Sequence, residues 1–351
     1  MKLSRKHPLL LLGLLALAAP AAAAISLRVI SSTPLPDGVI ARDVRWAGPS
    51  EVYVSTGKEG VIRTRVDSTV RGTKVMPGGE QGGFVISGLV AVGKNHVFVA
   101  SPMGAVGWIP LTGGARKLGQ KGLLSVMDID ARADTAAVLG ADSGPIQGLA
   151  RDGTIAWIGS LSKNMSDMRP LMKGRAKPGG KDMARCSILE TGAIRFMQDG
   201  SLVVVPGSEP GVYRYSTSGK LLQTWDTEPL GIVDDCWISE KELLLVARDF
   251  GRRIDWYASR VILDEILPFR AGPAFLLRRV EKGVTKWDVV TLPYRGESQR
   301  VALPINMPTP RAHVRGDIRG DQLVLLVFDD PLPGQKPVAP PRLVVLSIGG
   351  Q

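Results

Sequence analysis

Residues 196–226, FMQDGSLVVVPGSEPGVYRYSTSGKLLQTWD, constrain the fold more than any other stretch of the chain. Asp199-Gly200 and Ser218-Gly219 are two-residue turn signals, the kind that joins adjacent antiparallel strands. Leu202–Val205 reads as a buried strand, Val212–Tyr215 as a second after a Gly/Pro loop, and Leu221–Trp225 as a third. Together they make most of a four-stranded antiparallel unit.

Echoes of that unit recur along the chain. Apolar runs centre on Tyr53, Phe98, Val138, Val204, Leu245, Leu276 and Leu325, and subtraction gives gaps of 45, 40, 66, 41, 31 and 49 residues. Trp46, Phe196 and Trp237 each stand six residues before the first apolar residue of a run, at Val52, Leu202 and Leu243. Asp43-Val44-Arg45-Trp46 and Asp234-Asp235-Cys236-Trp237 share a D-x-x-W pattern. The turn Ser218-Gly219 has a counterpart in Asp152-Gly153 and a weaker one in Gly113-Gly114. Sustained helical periodicity is almost absent. A β-sandwich also uses many short strands, but recurrent spacing with matched tryptophans favours a repeat architecture.

In these features the chain resembles the β-propeller repeat proteins, particularly NHL-like blades ending in G-K-x-x-x-x-W. Gly219-Lys220-Leu221-Leu222-Gln223-Thr224-Trp225 carries that likeness. The YWTD signature and the sialidase Asp-box are missing, so the resemblance implies a fold and leaves the family within it open. It implies an all-β chain forming a single β-propeller, at about 40–50 residues per blade. Seven runs give seven blades, with six as the alternative count. The longest gap holds an insertion at 163–185, and the shortest requires two repeats to share or lose a strand. Residues 320–348 supply only part of a last blade. Residues 25–31 form a strand pattern without a blade, expected to pair beside 342–348 and close the ring, removing two exposed sheet edges.

Lys2, Arg5 and Lys6 precede an apolar run at 9–19, then Pro20 and four alanines. A basic n-region, a short apolar core and small residues make 1–24 a secretory signal peptide, with Ala22 and Ala24 fitting the cleavage pattern. Ile25 is the expected mature N-terminus, and 25–351 the propeller domain. The apolar run is short against the ~20 residues of a membrane span, and no later stretch is a candidate. The expected product is exported, periplasmic or extracellular, and monomeric. Cleavage removes three bases and no acids, so the net charge of +11 becomes 11 − 3 = +8. Such a balance favours anionic partners. The Lys and Arg are scattered without interleaved aromatics, so no nucleic acid is expected.

Cys186 and Cys236 are the only cysteines. An even number in an exported chain points to a disulfide, the alternative being two buried thiols. Neither has the CxxC spacing of a redox or zinc site.

Propeller sites lie where loops converge around the innermost strands, so the resemblance directs attention to Asp43, Asp128, Asp130, Asp234 and Asp235, all on expected innermost strands. The preferred reading is that they cap strands, satisfy turns or line a wet channel. The alternative, by similarity to gluconolactonase-type propellers, is a calcium site or acid/base pair at Asp43, Asp128, Asp234 or Asp235. The asparagine such a site uses is scarce here: only Asn95, Asn164 and Asn306 occur. Asp128-x-Asp130-x-x-x-Asp134 lacks the glycine and glutamate of a calcium loop. His96 and His313 are the only histidines after cleavage, and neither a G-x-S-x-G elbow nor HExxH is present.

The insertion carries Met165, Met168 and Met172 at i, i+3, i+7, a spacing that shares one face of a short helix limited by Pro170. Arg169, Lys173 and Arg175 lie among them. An apolar face packed on the rim is the first reading. A partner-binding protrusion is the second, and a thioether Cu(I) site the third. Residues 331–341 read as a spacer loop between strands of the last blade. The functional expectation is an exported, non-catalytic binding module for a protein or an anionic cell-envelope component, without a cofactor. Its alternative is a metal-dependent hydrolase or lactonase at the channel mouth, using calcium.

Overall fold

The first strand, β1 (Ser26–Pro34), pairs antiparallel with the last strand of the chain, from Ser26 opposite Gly349 to Pro34 opposite Arg342. The computed structural model describes residues 24–36, 38–56, 60–67, 72–76, 88–101, 105–111, 117–121, 126–133, 135–140, 146–149, 155–159, 183–185, 192–206, 211–232, 237–331 and 334–350.

After β1 the chain lays down sheets one by one, each an up-and-down meander. The first sheet holds β2 (Ala41–Trp46), β3 (Glu51–Thr56), β4 (Gly60–Arg65) and β5 (Thr73–Met76). The second holds β6 (Leu89–Val92), β7 (His96–Ser101), β8 (Ala105–Pro110) and β9 (Lys117–Lys121). The third holds β10 (Val126–Arg132), β11 (Thr135–Gly140), β12 (Ile146–Leu149) and β13 (Ile155–Gly159). A short strand, β14 (Met183–Arg185), precedes the fourth sheet of β15 (Ala193–Phe196), β16 (Leu202–Val205), β17 (Val212–Tyr215) and β18 (Leu221–Trp225).

Then come β19 (Trp237–Ser239) and two helices, α1 (Glu240–Arg248) and α2 (Phe250–Ala258). The fifth sheet holds β20 (Ile262–Phe269), β21 (Gly272–Glu281), β22 (Val284–Thr291) and β23 (Arg300–Met307). The sixth holds β24 (Ala312–Arg319), β25 (Gln322–Asp329) and β26 (Arg342–Gly349), with β1 as its fourth strand. Residues 331–341 connect β25 to β26, where a spacer was expected.

Each sheet buries both faces against its neighbours, which is why so many strands are continuous apolar runs rather than alternating ones. Tyr53 and Val61 of the first sheet pack with Val97 and Val99 of the second. Phe98 continues to Ile129 and Val138 of the third, and Leu139 to Ile194 and Leu202 of the fourth. Val203 meets Phe275 and Leu277 of the fifth, whose Leu276 and Trp287 meet Val314 and Leu325 of the sixth. Val324 and Leu326 then return to Val44 and Val54 of the first. Sheets stacked face to face in this cyclic order, with β2, β6, β10, β15, β20 and β24 innermost, make the chain an all-β propeller.

The turn signals of 196–226 are realised. Gly200 and Gly219 adopt φ of +91° and +80°, where L residues are strained, and Asp199 Oδ1 accepts the Ser201 N–H at 2.8 Å. Trp46 lies opposite Val52 and Phe196 opposite Leu202, so their common six-residue offset marks equivalent hairpins.

The third member of that alignment fails. The run around Leu245, expected to be a strand of a seventh blade, is helical, and the described residues hold six four-stranded sheets. Ser239 caps α1 by accepting the Glu242 N–H at 3.1 Å, and Leu, Glu, Lys and Ala are strong helix formers. Asp249 likewise caps α2, accepting the Arg252 N–H. Trp237 begins β19, which pairs with β14 rather than forming an innermost strand. The insertion expected at 163–185 thus ends in a strand, Met183–Arg185. Among the described residues no helix is long and apolar enough to cross a membrane.

Candidate functional site

The innermost strand of each sheet leaves N–H groups on an edge that no further strand covers, and buried donors of this kind require acceptors. The innermost aspartates supply them from the preceding sheet. Asp43 Oδ2 accepts the Val90 N–H, Asp128 Oδ2 the Ile194 N–H and Asp130 Oδ2 the Phe196 N–H, all at 2.7–2.9 Å. Asp264 Oδ2 accepts from Val314, and Asp317 Oδ2 from Trp46. At the junction from β15 to β20 the chemistry is inverted: the Arg195 Nε–H donates to the Ile266 carbonyl at 3.0 Å. Three of the sequence candidates, Asp43, Asp128 and Asp130, therefore do lie on innermost strands, as clasps between sheets.

A buried ion network occupies the middle of the channel. Glu265 receives Arg195 at 2.8 Å and Arg45 at 3.3 Å, with Arg315 at 3.8 Å. Arg45 also binds Asp43 at 2.7 Å, and Arg195 reaches Asp130 at 3.4 Å. Burial raises the Glu265 pKa, but Arg195, Arg45 and Arg315 outweigh it and hold this carboxyl below the usual range, so it is ionised at neutral pH. Asp128 differs. Burial, reinforced by the Glu265 charge, pushes it up to about 7 against the pull of the arginines. Its Oδ1 is buried without a hydrogen-bond partner among the described residues. Burial likewise raises Asp43 and Asp130.

Cavities lie at both ends of the innermost strands. The strand ends contribute Trp46, Val92, Arg132, Gln198, Pro268 and Asp317 to one of about 280 Å³. The strand starts open onto a larger one of about 420 Å³. Arg42, Arg278 and Arg315 line it, facing Asp264 and Asp330. Its apolar wall includes Leu89, Met127 and Phe328, and α2 adds Tyr257. Arg42 pairs with Asp330 at 2.8 Å and lies 6.0 Å from the Phe328 ring centroid. Arg278, only 4 % exposed, sits 3.4 Å from Asp264, donates to the Ala312 carbonyl and lies 5.7 Å from the Tyr257 ring centroid. His313 stacks on Phe328 with its Nδ1 3.6 Å from Asp264. Burial, with Arg278 nearby, lowers the His313 pKa, so the ring is neutral at pH 7 and the arginines carry the positive charge of this mouth.

Of the four candidate cation ligands, the two that are described, Asp43 and Asp128, stand among donors and cations. Both oxygens of Asp43 are engaged by N–H groups or Arg45, and Asp128 lies in the field of Arg315, Arg45 and Arg195. Among the described residues no group of three or more potential metal ligands gathers. Asp234, Asp235, Cys186, Cys236 and the insertion residues Met165, Met168, Arg169, Met172, Lys173 and Arg175 lie outside the described residues.

Reading the sequence for carboxylates missed Arg45, Arg195, Glu265, Arg278 and Arg315. One signal was present: the offset that aligns Trp46 with Phe196 also aligns Arg45 with Arg195, each a basic residue within a buried strand. Arg278 carries no comparable mark, because its partners Asp264 and Ala312 come from other strands.

The sheets and their cyclic packing define the class, a β-propeller. No protein-family model matches the chain, and no curated protein does. Among solved structures it is similar to the WD40 β-propeller domain of Doa1, at 10% identity over 92% of this chain and 97% of that one, with a TM-score of 0.48. It is also similar to virginiamycin B lyase from Staphylococcus aureus, at 10% identity over 92% of this chain and 99% of that one, TM-score 0.45. A chain of a mitotic checkpoint complex matches at 12% identity over 88% and 78% of the two chains, TM-score 0.46.

Proposed function

We propose that the chain is an exported, non-catalytic propeller that recognises an anionic component of the cell envelope at the basic mouth of its channel. The observation that carries this reading is the 420 Å³ cavity, where three guanidinium groups face two carboxylates. The hydrolase alternative places calcium at Asp43, Asp128, Asp234 or Asp235, and at the two that are described, Asp43 and Asp128, Arg45 and the clasping N–H groups already stand. Equilibrium binding of the mature chain, 25–351, to phosphatidylglycerol vesicles and to an acidic polysaccharide tests the proposal. At low salt at least one should bind, and Arg42→Glu should weaken that binding at least about tenfold, one unlike charge contact having become a like one. Undiminished binding would remove the mouth from recognition, and binding to neither probe would sink the anionic reading.

The same proposal counts six blades and makes β1 the closing strand, supported by its pairing along β26 and by the packing of Leu27 against the core shared by the fifth and sixth sheets. Deleting residues 25–34 should then lower the unfolding free energy by roughly 3 kcal/mol or more, from the apolar area uncovered. A deletion that unfolds like the full chain would refute closure. Export also gives the cysteines a role. β14 and β19 pair Met183 with Ser239, Ala184 with Ile238 and Arg185 with Trp237, and in the sequence Cys186 directly follows Arg185 and Cys236 directly precedes Trp237. We read them as a disulfide. Alkylation before and after reduction, followed by mass spectrometry, should label neither thiol and then both. Labelling without reduction would show two thiols.

A further inference from the structure

The geometry of the basic mouth points to a more specific ligand, and we propose that it binds a small amphipathic oxyanion: one carboxylate or phosphate group attached to an apolar body. This rests on the reading of that mouth as the recognition site. Arg278 is the anchor for the oxyanion. Its guanidinium is held by Asp264 and the Ala312 carbonyl, so it is presented at the cavity with little rotamer freedom left to lose. Its Nε faces Asp264 Oδ1 at 3.4 Å and its Nη1 donates to the Ala312 carbonyl, and Arg42 and Arg315 flank the same cavity. A fork of fixed N–H donors suits the planar oxygens of a carboxylate or the oxygens of a phosphate.

The rest of the wall asks for something other than a bare ion. Leu89, Val126, Met127 and Leu263 line the cavity on the side of the innermost strands, and the Phe328 and Tyr257 rings complete it. A volume of about 420 Å³ falls in the range of small-molecule sites, roughly 300–1,000 Å³, and far exceeds one water or one inorganic anion. Tyr257 comes from the α1–α2 hairpin, the element that breaks the repeat. The body of the ligand is therefore read by a part of the chain that the sheets do not need.

Isothermal titration of the mature chain with octanoate, phenyl phosphate, inorganic phosphate and octanamide tests the proposal. Octanoate or phenyl phosphate, or both, should bind saturably at one site, and which of them binds tighter names the head group. Octanamide and inorganic phosphate should each bind at least about tenfold more weakly, the first lacking the charge and the second the body. Arg278→Lys should lose about tenfold in affinity for the amphipathic probe, since an ammonium lacks the planar fork. Tyr257→Ala, on a half-buried helical position and with the fold intact, should weaken the amphipathic probe and leave inorganic phosphate unchanged. Equal binding of octanamide would overturn the oxyanion, and equal binding of inorganic phosphate would overturn the apolar body. If none of the four binds while Arg42→Glu still loses vesicles or polysaccharide, the small-ligand inference fails and the wider reading of the mouth stands. If that loss is absent as well, both fail.

Discussion

The two ends of the channel are built from the same innermost strands and differ in what their charges are doing. At the strand ends, Asp130, Arg195 and Asp317 are tied to one another and to backbone N–H groups of adjacent sheets. Every one of those bonds joins two sheets, so this end reads as part of the fastening of the ring. At the strand starts, the arginines lie against a larger cavity, and their partners Asp330, Asp264 and the Ala312 carbonyl leave guanidinium surface facing it. The lesson is that a charge-rich propeller channel is not by itself a site. Charges at both ends bridge sheets, since Arg42 reaches Asp330 and Arg278 the Ala312 carbonyl; what sets the strand starts apart is the larger cavity with an apolar wall against which their arginines lie.

The sharpest way to break that division is at Glu265, the anion shared by Arg45, Arg195 and Arg315. Glu265→Gln leaves buried guanidinium charge short of its partner and should cost about 3–5 kcal/mol of unfolding free energy by urea titration. A loss of only a few tenths would mean that the network fastens nothing.

A smaller effect concerns pH. Asp128 is raised to about 7 in the fold, above its ordinary carboxylate value, so the folded state holds a proton that the unfolded chain releases. The Asp128 contribution to stability is present at lower pH and is lost as pH rises through 7. His313, lowered in the fold, has the opposite sign but contributes fully above its unfolded value of about 6.5, and Glu265 and Asp264, also lowered, act only in the acid range. Asp128 should therefore make the protein lose stability as pH rises toward 8, with Asp43 and Asp130, also raised, acting in the same direction, and Asp128→Asn should reduce that slope. An unchanged slope in the variant would assign the titration elsewhere.

Much of the architecture was legible because it is local. Turn pairs such as Asp199-Gly200 and Ser218-Gly219, and the common offset of Trp46 and Phe196, are written within a few residues of the hairpins they make. The run at Leu245 was not, since a short apolar segment fits a buried strand or a helix equally and the capping by Ser239 and Asp249 decides it. The channel was legible in position only. Asp43 and Asp128 were recognisable as innermost, but their role depends on partners across the ring: Arg45 meets Glu265 220 residues away, and Arg195 bonds to Gly316 121 residues away. No local pattern carries such a pairing.

The smallest expected effect separates the hairpin from the sheets. Ser239→Ala removes the α1 cap and should weaken the hairpin by about 1 kcal/mol, seen as faster amide exchange across 240–258. The sheets should exchange as before. Faster exchange spreading into β20 or β24 would show that the hairpin, too, fastens the ring.

The division between the two ends is tested most directly by measuring stability and ligand affinity on the same pair of variants, Arg195→Met and Arg278→Lys. Urea unfolding and octanoate titration should separate them. Arg195→Met should lose several kcal/mol of stability, about 3–5, while its folded fraction binds octanoate as the parent does. Arg278→Lys should unfold within about 1 kcal/mol of the parent and bind about tenfold more weakly. Parallel losses of stability and affinity in both variants would contradict the account, because they would make the channel one undivided charge cluster.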